Sequence, residues 1–439
     1  MGMKYLCTFL MFIFLSVPTY AESISVIRDT EVENTLLQYI QQAFKAGGLN
    51  PNNAEVVLVQ DDTINAFVAG GQTIFVHTGL ITHAKSMDEV AFVLSHETAH
   101  IIGGHVVRGI EQMKSAQTTA LISTVLGGLL AVASGGTEAG LAVMMGINSS
   151  VMGSYMTYRQ SEESAADRTA VDIMKKTGYS MQGFTDTMKE LNRQERLSSS
   201  YKSRYLMTHP LTRERIRDIE RFTKNTPPLS QNEQFDLIRA KLIGFLYPPE
   251  QTLLKYKGTS IADKYAKAIA TYKKGKISDS LKQIDTLISL RPQNAYFYEL
   301  KGQFLFETGQ SSQSVKAYEK AISIMPDATL IRLALAQVLT ESDSEDDLNK
   351  AIGHLTTVVT QDKSIPGAWR LLAIAYGKTG NIPMADYAMA EFYILTGDKK
   401  QAVKSAKRAI DKIKTDTPAY HHLQDILDIT KTNTYQLQE

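Results

Sequence analysis

The chain has 439 residues, with 47 basic and 46 acidic side chains, one cysteine and a hydrophobic fraction of 43%. That length points to about two or three domains, and the balanced charge excludes a bulk nucleic-acid binder. The apolar content is that of a chain with a packed core, and a lone cysteine excludes a disulfide scaffold or a Cys-rich zinc module. Any bound metal must be held by histidines and carboxylates.

Lys4 precedes an apolar run over residues 5–17, followed by Pro18, Thr19, Tyr20 and Ala21. A basic start, a short apolar stretch and small residues at a cut after Ala21 predict a secretory leader over residues 1–21. The run is shorter than the roughly 20 residues of a membrane span. Cys7 lies inside it and has Lys4, not Leu, three positions upstream, unlike a lipoprotein site. Cleavage would leave a formally neutral chain without a thiol. Export into an oxidising compartment without disulfides leaves stability to packing.

Val32, Leu36, Leu37, Ile40 and Phe44 recur at helical spacing and predict an amphipathic first helix, stopped by Gly47 and Gly48. Residues 55–60 (EVVLVQ) and 73–76 (TIFV) read as strands, with a turn at Ala69, Gly70 and Gly71. Ser86 and Glu89 have the spacing of a capping box for a helix ending near Ile102, where Gly103 and Gly104 follow. From Ser115 to Tyr158 the only charged residue is Glu138. This stretch reads as two apolar helices, packed into the core or, over residues 118–156, in peripheral contact with a membrane. Residues 159–176 are helical again, closed by Gly178, and a helix over 235–246 ends before Pro248 and Pro249.

Beyond that point the pattern is periodic. Gly275 and Gly309 are 34 residues apart, as are Pro292 and Pro326, and 34 residues is the tetratricopeptide period. One copy supplies Tyr298, Gly302, Gly309, Tyr318, Ala321 and Pro326; a later one supplies Trp369, Leu372, Ala373, Tyr376, Gly380 and Ala385. The second glycine falls three residues late, which places a small insertion at the acidic stretch around Ser342, Glu345, Asp346 and Asp347. Such arrays are platforms for peptides or partner proteins.

His96, Glu97, Thr98, Ala99 and His100 form an HExxH motif on the predicted helix. Histidines four apart share a helix face and can grip one ion, with Glu97 one step round as general base. A catalytic site needs a third protein ligand and an open position. His105 is one candidate, but on a continuing helix it would point almost opposite the pair, and it reads as a histidine on the surface or behind the ligands. Glu163 and Asp167, four apart on a later helix, are another. Glu163 would bind the ion while Asp167 accepts the N–H of a ligand histidine; periodicity alone leaves the adjacent Glu162 open.

HETAH followed by ESAAD resembles the HtpX/BepA-like gluzincin family, whose pattern is HExxH then ExxxD. The resemblance implies His96, His100 and Glu163 as zinc ligands, one Zn2+ per chain, and Glu97 as catalytic base. It extends to Asn65, Ala66 and Phe67, in a region that in this family includes an edge strand on which extended substrate pairs. It also covers Thr208, His209 and Pro210 with Arg215, a family element near the active site. There His209, with Arg215, would stabilise an oxyanion, or His209 would swing onto the metal and latch the enzyme shut.

The fold expected is mainly α: an α+β gluzincin-type metallopeptidase domain with a small sheet over residues 22–228, a helical linker over 229–260, and an all-α tetratricopeptide-repeat solenoid over 261–439. The function implied by the resemblance is a periplasmic zinc endopeptidase acting on misassembled envelope or outer-membrane proteins, its repeats docking substrate or the assembly machinery. The alternative is a chaperone or scaffold for outer-membrane protein assembly, with rare or latched proteolysis. Protein or peptide substrates are expected, and no nucleic acid.

Overall fold

A computed structural model describes residues 25–69, 71–105, 160–197 and 226–435, together with 209, 215, 217, 218 and 221. The leader, the apolar stretch 118–156, Thr208 and Pro210 lie outside the described residues.

The first helix, α1 (Thr30–Ala46), is started by Asp29, whose side chain accepts from the Val32 amide, and is terminated at Gly47. Gly48 follows with φ +82°, in the left-handed region that a side chain disfavours. The face bearing Val32, Leu36, Tyr39, Ile40 and Phe44 is buried in the core, as the spacing predicts. Four strands follow the order β1-β2-β4-β3, with β1 Val26–Ile27, β2 Glu55–Val59, β3 Ala66–Ala69 and β4 Thr73–His77. β2 and β4 pair in parallel and β3 returns antiparallel on β4. Sequence periodicity alone missed β1 and β3: a two-residue strand and an AFVA strand are too short to show alternation. A short helix, α2 (Thr78–His83), follows β4.

Helix α3 (Met87–Ile102) carries HExxH, and every residue from 87 to 100 is buried. The expected capping box does not form, although Glu89 binds the residue just before the cap. Ser86 makes no side-chain cap bond, while Glu89 reaches back to accept from the Lys85 amide at 3.1 Å. The carboxylate of Asp88 accepts from the Ser180 amide at 2.6 Å and from the amide and hydroxyl of Ser230 at 2.8 Å. These bonds tie the start of α3 to two distant segments. Helices α4 (Gln160–Thr177) and α5 (Gln182–Leu197) pack against α3. A Cβ on Gly183 would lie 2.4 Å from the Asp88 backbone, so α5 approaches α3 as closely as glycine permits.

Helix α6 (Glu233–Leu246) serves both halves of the protein. Phe235, Ile238 and Leu242 complete the core around α3, while Leu237, Ala240 and Ile243 pack with Tyr265 and Phe297. After α7 (Pro249–Lys255), five helix pairs form the repeat: α8 Ile261–Lys273 with α9 Ile277–Leu290, α10 Ala295–Glu307 with α11 Ser311–Ile324, α12 Thr329–Thr340 with α13 Glu345–Gln361, α14 Pro366–Lys378 with α15 Ile382–Leu395, and α16 Lys399–Ile410 with α17 Pro418–Tyr435. Gly275, Gly309 and Gly380 take φ of 76–78° at the turns within pairs, which explains their period. The inserted residues lengthen α13, which has 17 residues against 14 in α11.

A buried ionic cluster joins the halves. Lys241 lies 2.7 Å from Asp29, 3.4 Å from Glu31 and 3.7 Å from Glu299. Tyr265 donates to Glu31 at 2.9 Å. Three carboxylates share one ammonium, and burial outweighs the pull of Lys241, raising Glu31 to about 7. A raised acid pKa favours the fold most below its unfolded value near 4.5, and that contribution is lost as pH rises through 7. The shift corresponds to about 3 kcal/mol at most. Thermal denaturation from pH 5 to 8 should therefore show declining stability. Glu31→Gln should make the decline shallower, with the remainder due to Glu299 and Glu89, which burial also raises to about 7; an unchanged slope would show that Glu31 does not titrate with folding.

Candidate metal centre

HExxH spans the third and fourth turns of α3; just before it, Tyr39 donates to the Ala91 carbonyl at 2.9 Å and meets the Ser95 hydroxyl at 2.6 Å. These bonds fix the rotation of the helix, and the i, i+4 spacing then points both imidazoles to one side. His96 Nε2 and His100 Nε2 are 3.1 Å apart. Glu163, on the first turn of α4, presents Oε1 at 3.3 Å from His100 Nε2 and Oε2 at 3.4 Å from His96 Nε2. His209 Nδ1 is 3.3 Å from His96 Nε2 and 3.0 Å from Glu163 Oε1. All four side chains are buried, and their ligand atoms lie within 4.8 Å of one another.

These separations fit a metal. Four N and O ligands around a tetrahedral ion at about 2.05 Å must be about 3.3 Å from each other. The donor chemistry fits as well, since three imidazoles and a carboxylate are a borderline ligand set. Bringing such lone pairs together is unfavourable unless protons or a cation lie between them.

The charges behind the ligands are ordered. His96 Nδ1 faces Asp167 Oδ1 at 3.0 Å. Arg215 grips Asp167 with two bonds, Nε to Oδ2 at 2.6 Å and an Nη to Oδ1 at 2.9 Å, and reaches Glu163 Oε2 with the other Nη at 2.7 Å. Burial would raise the Glu163 carboxyl, but His209 and His96 overcome it and hold Glu163 well below the usual carboxylate range. Asp167 is likewise held down against burial by His96 and Arg215. Burial opposes charge on His96, yet Glu163 and Asp167 pull it up to about 10. Burial pushes His100 well below its ordinary value, keeping it neutral as a ligand must be. The site demands one positive charge beside its two carboxylates, which a proton on His96 or a bound cation can supply.

Glu97 is fully buried, with Oε1 3.4 Å from His209 Nε2. Burial raises its carboxyl to about 8, against the opposing pull of His96. His105 is not opposed to the pair; of the two places expected for it, it takes the one behind the ligands and not the surface. The helix ends at Gly103, the chain reverses at Gly104 with φ +63°, and His105 Nδ1 returns to 2.8 Å from His100 Nδ1. The paired glycines carry the signal: Gly103 stops the helix and Gly104 reverses the chain. Glu162 makes no part of the four-residue cluster.

Among the expected substrate residues, Ala66 and Phe67 lie on β3, the edge strand of the described sheet, and Asn65 directly precedes it. The Asn65 carbonyl accepts from the His77 amide at 3.1 Å. Pairing alternates along an antiparallel strand, so the backbone groups of Ala66 and Val68 point away from β4. The Val68 amide points toward Glu97 and partly offsets the rise of its carboxyl, so the outer edge of β3 faces the HExxH glutamate.

Residues 28–223 match Peptidase family M48, and residues 284–401 match the Cytochrome c-type biogenesis protein H TPR domain. The chain is a metalloendopeptidase with a peptidase family M48 domain. Beta-barrel assembly-enhancing protease of Yersinia pestis is 25% identical over 394 residues, covering 86% of this chain and 80% of its own length. That of Escherichia coli K12 is 24% identical over 368 residues, covering 81% and 74%. The solved tetratricopeptide protein YrrB aligns over 39% of this chain and 91% of its own at 16% identity, with a TM-score of 0.33.

Asp167 holds the orientation of His96, so Asp167→Ala should lower divalent-metal affinity about 10–100-fold. Competition against a chromophoric chelator measures this; unchanged affinity would show that the Asp167 contact does not shape the site.

Proposed function

We propose that the protein is an exported zinc endopeptidase that cleaves misassembled envelope or outer-membrane proteins, and that the present conformation is its latched form. The observation that carries this reading is the four-atom cluster in which His209 takes the position an open catalytic site leaves to water. His96, His100 and Glu163 are the lasting ligands. Bound zinc would supply Lewis-acid polarisation of the scissile carbonyl and acidify the attacking water.

The chain's own residues supply the rest. Glu97 takes the proton of the attacking water and returns it to the leaving amine. Extended substrate adds to the outer edge of β3 through the backbone of Ala66 and Val68, which brings its carbonyl toward Glu97. Arg215 is bound to Glu163 and Asp167, which favours a role in holding the ligand carboxylate over one at an oxyanion. With His209 Nδ1 turned into the cluster, its Nε2 faces Glu97, so one side chain blocks the ligand position and occupies the base together. Release of His209 frees both.

The division into peptidase (22–228), linking helices (229–260) and repeats (261–439) is retained in this reading, with α6 packed into both halves. Among the described residues no helix is long and apolar enough to cross a membrane. The predicted leader supports export to the periplasm, and the relatives' role as beta-barrel assembly-enhancing proteases supports action during outer-membrane protein assembly. The repeats would dock substrate or a protein of that machinery. The latched geometry also supports a protein that holds clients and cleaves them rarely.

Purified protein should contain one zinc and digest casein in a chelator-sensitive manner. Glu97→Gln should retain the zinc and lose all cleavage; residual cleavage would remove Glu97 from the chemistry. His209→Ala should raise casein cleavage and self-cleavage by roughly ten-fold or more, since a latch scales turnover by the open fraction. Lost turnover would instead make His209 catalytic, and unchanged turnover would reject both roles.

A further inference from the structure

His96 and His100 are supported by different chemistry. Behind His96 stands the Asp167 carboxylate, an acceptor of fixed polarity. Behind His100 stands another imidazole, His105, which is 5% exposed and has its Nδ1 2.8 Å from His100 Nδ1. One of these nitrogens must carry the proton and the other must be bare. A metal ligand needs a bare Nε2, so His100 carries its proton on Nδ1 and donates it.

We propose that His105 is a positioning residue for the metal centre, accepting the His100 Nδ1 proton and so holding His100 Nε2 bare and aimed into the ligand cluster. Local structure is built to hold that ring. α3 stops at Gly103, the left-handed conformation at Gly104 turns the chain back, and the imidazole of His105 lies directly on Gly103. A Cβ on Gly103 would come 2.3 Å from His105 Nε2 and 2.7 Å from Cδ2 and Cε1, so any side chain there would displace the ring. The ring centres of His100 and His105 are 4.9 Å apart with the planes at 75°, and with the Nδ1 atoms 2.8 Å apart the two nitrogens lie between the rings and face each other. A neutral acceptor adds no third anion to a site already holding Glu163 and Asp167. It therefore orients His100 without deepening the negative field that acts on His96. The inference rests on the zinc reading above.

The test is zinc affinity of the full chain, by competition with a chromophoric chelator, for three substitutions. His105→Phe keeps an aromatic ring without an acceptor, and His105→Ala removes both. His105→Asn places a carbonyl oxygen where Nδ1 stood. Affinity should fall about 10–100-fold in the Phe and Ala variants and return most of the way in Asn. Thermal denaturation of the metal-free proteins reports folding separately. Wild-type affinity in His105→Phe would overturn the proposal, as would an Asn variant as weak as Ala, because either makes the residue a packing element. A wild-type chain that takes up no zinc would overturn the metal reading, and this inference with it; tight wild-type binding with an unaffected Phe variant overturns this inference alone.

Discussion

The structure depends on the burial of Glu163 and Asp167 beside three histidines. Two carboxylates removed from water cost several kcal/mol each unless every charge is answered nearby. Arg215 answers both, with bonds of 2.6–2.9 Å, and His96 supplies the second positive charge when no ion does. This constraint fixes what the chain must deliver. α3 must be buried along its length, α4 must present two acids four residues apart, and the segment carrying His209 and Arg215 must return across both. The orientation of each ligand is then set by a partner behind it, which is the preorganisation that metal chemistry requires.

The same physics recurs at the join between the halves. Lys241 is buried among Asp29, Glu31 and Glu299, contributed by the start of α1 and by the second repeat pair. Asn34 of α1 also donates to the Tyr296 hydroxyl at 3.2 Å. With α6 contributing to both cores, the repeat is attached through a helix it shares with the peptidase half. A load on the repeat would therefore be felt at α1, which contacts α3.

Much of this was legible in the sequence, for identifiable reasons. A helix has a fixed period, so His96 with His100, and Glu163 with Asp167, announce shared faces before any fold is known. The 34-residue spacing of Gly275 and Gly309 is equally readable, because each glycine occupies a left-handed turn within its helix pair. What escaped depended on chain reversal or on distance. His105 was extrapolated along a helix that ends three residues before it. The pairing of Arg215 with Glu163 and Asp167 spans about 50 residues with no local signature. β3 is four residues long, and periodicity alone could not separate it from the turn that follows; only the family resemblance placed an edge strand in its region.

The central claim is that one zinc is held by His96, His100, Glu163 and, in the closed form, His209. Zinc K-edge X-ray absorption on zinc-loaded wild type and His209→Ala tests it most directly. One zinc per chain is expected, with three imidazoles in the wild-type shell and two in the variant, the lost nitrogen replaced by a solvent oxygen. Two imidazoles in both proteins would contradict the latch, and a shell lacking the HExxH pair would contradict the metal centre itself.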